Sequence, residues 1–160
     1  MTMVIPTLIS AGDYSPELQE AYQYARAISI TTQPTIDSAN MYGSLIRSHM
    51  AKMMVNYAKT VLGKTGDVSL SCNFTDIGGQ SAELQSYIRQ ACQMGLMGVG
   101  ITKFNPGGIV TRAQFGTVLS RALYDDFYND GNPYYYFHLQ ALQEAGIMKN
   151  ISNPDTNEIR

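Results

Sequence analysis

One helix–loop–helix plan recurs along this chain. A recurring plan restricts the fold more than any single motif, because each copy must bury its apolar face against its neighbours. The middle copy, residues 74–123, is the clearest. Leu84, Tyr87, Ile88, Ala91 and Cys92 share one face of a first helix, and Gly95 stands where a left-handed cap would end it. A loop rich in Gly and Pro follows. A second helix then carries Phe115, Val118, Leu119, Ala122 and Leu123 at one-face spacing. An earlier copy, residues 15–62, opens with Ser15-Pro16, a helix start, and a stripe of Leu18, Ala21, Tyr22, Ala25 and Ile28. After its loop, Met50, Met53, Met54, Tyr57 and Ala58 repeat the second stripe. Arg47 follows Ser29 at nearly the interval by which Arg112 follows Gly95. A third copy, residues 134–160, repeats the step from Ile88 to Gly95 as Leu139 to Gly146, reaches Arg160, and shows no second helix. Residues 1–14 form an N-terminal segment, and 63–73 and 124–133 read as linkers. The expected class is all-α.

The second helix of the middle copy starts on Thr111-Arg112. Thr111 and Gln114 are spaced for a capping box. Arg112 then lies in the first turn, where the helix dipole disfavours a cation by roughly 0.3–1 kcal/mol. Either an acidic partner or an external anion must offset that cost. In the first copy Ile46 stands in place of the threonine, and Ser44 is the nearest hydroxyl for a cap.

Composition removes several classes. The chain has 160 residues, enough for one core, and a net charge of −2, which gives no basic field for nucleic acid. No apolar run of about 18 residues spans a membrane. The start, MTMVIPTLISAGDYSP, lacks a basic region followed by a sustained apolar core, and does not read as a signal peptide. Cys72 and Cys92 fit no zinc spacing. Cys92 reads as a small buried hydrophobe on its helix face, and a single Cys72–Cys92 bridge in an oxidising compartment is the alternative. No metal site and no cofactor is expected.

The motifs Phe74-Thr75-Asp76, AELQSYIRQACQMGLMGVG, FNPGGIVTRAQF and RAL resemble an S-layer homology repeat. The first copy resembles it through LIRSHMAKM, and the third over its length. The resemblance implies three repeats closed into a pseudo-threefold, all-helical trefoil around a central helical bundle. It also implies a non-catalytic module of the bacterial cell surface. Such modules bind an anionic cell-wall polysaccharide, often pyruvylated, in grooves between repeats, and they anchor secreted surface-layer and other envelope proteins. By the same resemblance Arg47, Arg112 and Arg160 contact the acidic group, beside helix N-termini whose free N–H groups suit an anion. Thr111 caps that turn, and Gly107-Gly108 let a sugar approach the backbone.

Other residues carry blander expectations. Asp76 fastens a loop or caps a helix. Met50 to Met54 pack the core. His138 sits on a helix flank, at the surface or half-buried, and His49 is too distant to pair with it. The patterns at Asn73 and Asn150 match glycosylation acceptors of low specificity. Asp125 and Asp126 are adjacent carboxylates, but no nucleophile elbow, zinc-helix or phosphate-loop signature accompanies them, so an enzyme is not expected. The second functional reading is an assembly module that docks another chain, or a second copy, through exposed apolar helix faces near Phe137, Leu139 and Leu142.

Overall fold

A computed structural model describes residues 14–156 of the chain. Five helices follow in order: α1 Pro16–Ala27, α2 Arg47–Thr60, α3 Ala82–Gln93, α4 Arg112–Tyr124 and α5 Tyr136–Glu144. No strand occurs among the described residues, so the fold is all-α, as the periodicity predicts.

The repeated plan is visible in the backbone. Each first helix ends on a left-handed residue: Ser29, Gly95 and Gly146, with φ of 61°, 71° and 71°. The next N–H then reaches back to the helix: Ile30 to the Ala25 carbonyl, Leu96 to Ala91, Ile147 to Leu142. This is a Schellman-type end, and glycine adopts it most readily. Ser29 adopts the same geometry without being glycine, which costs the first copy some stability.

Packing runs between copies. α2 packs on α3, α4 packs on α5, and α2 meets α4. The core between them holds Met50, Met54, Val55, Ile88, Leu96, Phe104, Val110 and Val118, all buried. α4 is squeezed from two sides, so its buried set extends beyond one stripe to Arg112, Ala113, Gly116, Thr117 and Ser120. Gly116 lies where Leu139 of α5 crosses; a Cβ built there would stand 2.3 Å from Leu139 Cδ2.

Three expectations need correction. The α1 stripe is not a buried face: Tyr22 is the helix's one buried residue, and α1 packs against no other described helix. It is tied to its own loop instead, through Tyr22 Oη donating to the Gln33 carbonyl at 2.8 Å and Arg26 donating to Pro34. The apolar face of α5 is not exposed, because Leu139 and Leu142 are buried beside α4 and only Phe137 remains open. Cys92 is not a free hydrophobe; it is bonded to Cys72 at 2.08 Å, which ties the 63–73 linker to α3.

Candidate anion-binding groove

The N-termini of α2 and α4 are built alike. The Arg47 and Ser48 N–H groups donate to the Gly108 and Pro106 carbonyls at 2.9 and 3.0 Å. The Arg112 and Ala113 N–H groups donate to the Thr156 and Pro154 carbonyls at 2.9 and 2.7 Å. In both cases the loop of the following copy caps the helix of the preceding one. Asn105 and Asn153, each before the proline, take the left-handed conformation that Asn tolerates and turn the loop into place. These four N–H groups are therefore spoken for and do not await an anion, contrary to the expectation at Arg47 and Arg112. A helix end buried inside a repeat array satisfies its donors from within the chain.

The arginines act first on those loops. Arg47 donates from Nε to the Phe104 carbonyl at 2.8 Å, and its guanidinium lies 4.9 Å from the Phe104 ring centroid. Asp76 holds the same loop from the other side, accepting from the Phe104 and Asn105 N–H groups at 2.8 and 2.7 Å. Desolvation pushes its carboxyl up, but those N–H bonds and Lys103 outweigh it and hold the group below the usual carboxylate range. The loop-fastening role expected of Asp76 is thus what the structure shows. Arg112 is 7% exposed and donates to the Ser152 carbonyl. Its Nε is buried with no partner among the described residues. Thr111 and Gln114 complete their capping box, each accepting from the other's backbone N–H at 3.2 Å. α2 has no side-chain cap from Ile46.

Gly108 serves the loop contact. A Cβ there would meet Asn105 Nδ2 at 2.4 Å and Arg47 Cδ at 3.1 Å, so glycine is what lets the loop lie on Arg47. Gly107 is exposed, with open space beside it. Arg160 lies outside the described residues.

Arg47 also borders a groove of about 270 Å³ where the three copies meet. Its polar lining is Arg47, Gln114, Thr117, Arg121 and Tyr134, over Met50, Met97 and Val118. Two guanidinium groups face this groove, and among the described residues no carboxylate lines it. Partial burial lowers the pKa of both arginines; the neighbouring Tyr134 works against that in both, and Asp76 does so at Arg47. Both remain cations, since guanidinium does not deprotonate in proteins. Burial pushes the Tyr134 phenol up, so it enters as a neutral donor. The Thr117 hydroxyl is buried with no partner among the described residues. The Arg47 terminal nitrogens likewise make no hydrogen bond among the described residues, so donors remain for a ligand.

Arg121 is held by a relay that runs from the exposed Asn129 to the buried His138. Its Nε donates to Asn129 Oδ1 at 2.8 Å, and Nη1 donates to the Leu96 carbonyl at 3.3 Å. Asn129 Oδ1 also meets His138 Nε2 at 3.1 Å, and His138 Nδ1 meets Ser120 Oγ at 2.8 Å. An amide oxygen only accepts, so Nε2 carries the proton and Nδ1 accepts from the serine hydroxyl. His138 is therefore a neutral, fully buried imidazole, not the flank residue expected. Burial, with Arg121 adding to it, lowers its pKa to about 4.

Arg121, Tyr134 and Thr117 were not legible as site residues. Arg121 lies near the far end of α4 from the Thr-Arg motif, and Tyr134 enters at the edge of a segment read as linker. The two acidic neighbours, Asp125 and Asp126, sit at the end of α4, where Asp125 pairs with Lys64 at 2.7 Å in an exposed bridge. No cluster of His, Cys, Asp or Glu suited to a metal occurs among the described residues. No described helix is long and apolar enough to cross a membrane. No protein-family model matches the chain, and no curated protein matches it either.

Proposed function

We propose that the chain is a non-catalytic binding module of the bacterial cell surface that holds an anionic cell-wall glycan in the groove between its copies. One observation carries the reading: Arg47 and Arg121 face a single groove that no carboxylate lines among the described residues. Two partly desolvated cations in one groove favour an anion even with Asp76 near Arg47, and a planar carboxylate fits the guanidinium fork. Gln114 and Tyr134 supply neutral donors for the sugar that bears it. The resemblance to S-layer homology repeats agrees, with Arg121 joining Arg47 at the ligand while Arg112 serves the fold.

The test is co-sedimentation with purified bacterial sacculi. Wild type should pellet, and folded Arg121→Ala and Arg47→Ala/Arg121→Ala variants should stay in solution. Equal pelleting of all three, or of none, would sink the proposal. Circular dichroism confirms that each is folded.

The assembly reading keeps one observation in its favour. α1 packs on no other described helix, and an apolar cleft of about 550 Å³ lies beside its loop, bordered by Met53, His49 and Phe115. Mass that rises with protein concentration, and a loss of that rise in Met53→Asp, would support it.

A further inference from the structure

We infer that residues 124–137 form a second carbohydrate surface, an aromatic platform for neutral sugar rings that adjoins the anion groove. The inference rests on the glycan-binding reading above. Half of this segment is aromatic: Tyr124, Phe127, Tyr128, and the run Tyr134 to Phe137. Four of these rings are strongly exposed, with Phe127 at 78%. Isolated exposed hydrophobes need no explanation, but a concentration of them marks a binding surface. The ring contacts are edge-to-face: Phe127 on Tyr128, Tyr134 on Tyr135, Tyr136 on Phe137. Among the described residues no parallel stack covers the rings of this segment.

Charge selects the occupant. Between Arg121 and Lys149 the chain has no lysine or arginine, while Asp125, Asp126 and Asp130 are interleaved with the rings. Lys64 neutralises Asp125, and no salt bridge reaches the other two among the described residues. Such a surface repels an anionic lipid headgroup or a polyanion. It suits neutral pyranoses, whose polarised C–H faces meet the negative face of an aromatic ring and whose hydroxyls donate to carboxylates and amide oxygens. Continuity with the groove comes from Tyr134, which lines it beside Arg47 and Arg121 while packing on Tyr135. A polymer with its acidic group on the arginines thus has neutral neighbours within reach of the platform.

The probes are neutral hexaoses of N-acetylglucosamine, glucose and mannose, with the corresponding disaccharides. Saturation-transfer NMR, irradiating the aromatic protons, reads binding. At least one hexaose should take up saturation on its ring C–H protons and bind more tightly than its disaccharide. Phe127→Ala/Tyr136→Ala/Phe137→Ala should weaken it at least tenfold with an unchanged circular-dichroism spectrum. If that variant fails to fold, Phe127→Ala alone is used and should weaken it at least threefold. No transfer to any hexaose, or equal binding by the folded aromatic variant, overturns the platform. So does concentration-dependent self-association that the aromatic variant abolishes without any sugar binding. These probes bear no acidic group, so the outcome is separate from that of the sacculus experiment on Arg121.

Discussion

Acidification should loosen this protein through His138, by an amount that follows from its burial. The imidazole is buried without charge between Ser120 and Asn129, and its pKa falls from 6.5 to about 4. A base whose pKa is depressed by folding is protonated first in the unfolded chain. Its contribution is therefore fully present above the unfolded pKa and drains away as pH drops towards the folded one. Each pH unit between those two values is worth about 1.36 kcal/mol, so the loss from neutral pH to about pH 5 is about 2 kcal/mol, tending to about 3 kcal/mol at lower pH. Urea unfolding at several pH values reads this directly. His138→Gln keeps an amide donor for Asn129 and cannot titrate. It should start less stable at neutral pH but lose about 2 kcal/mol less than wild type on acidification. Every other titratable group is common to both proteins, so its contribution cancels in the comparison. Parallel pH slopes, or an NMR titration of the His138 ring with its midpoint near 6.5, would rule this account out. Because Asn129 also holds Arg121, glycan retention should weaken in Asn129→Ala even where the fold survives.

Other outcomes follow from the same contacts. Reducing the Cys72–Cys92 bridge opens a loop with a sequence separation of 20, which should cost about 3 kcal/mol on the chain-entropy account; thermal unfolding with and without reductant measures it. Gly116→Ala puts a methyl against buried Leu139 and should cost about 1–3 kcal/mol of overpacking, read by urea denaturation. Asp76→Ala should free the Phe104 and Asn105 amides, seen as faster hydrogen exchange at those two positions. In wild type that protection should persist as pH falls to the ordinary carboxylate range and fail only below it, because the folded pKa is depressed.

The anion groove and the loop clasps share residues, which links stability to binding. Arg47 is one of the two groove cations and also the clamp on Phe104. Substituting it removes that clamp together with a groove cation, whereas substituting Arg121 leaves the Phe104 clasp intact and gives up its own bonds to Asn129 and Leu96. Loss of binding in Arg121→Ala with little change in unfolding is therefore the more informative result.

Much of this protein is local, and that part is legible in the order of its residues. The stripes of α2, α3 and α4, the Thr111–Gln114 box, and the glycine ends at Gly95 and Gly146 follow from short-range spacing and backbone preference. The rest depends on how the copies pack. Whether a stripe is buried depends on a neighbour, so Leu139 and Leu142 found one on α4 and the α1 stripe found none. The free N–H groups foreseen at Arg47 and Arg112 are closed by loops some sixty and forty residues away in the chain. The groove itself joins Arg47 of the first copy, Arg121 of the second and Tyr134 of the third. No periodicity connects such positions; they meet because helices of adjacent copies pack side by side and carry their polar edges to one seam.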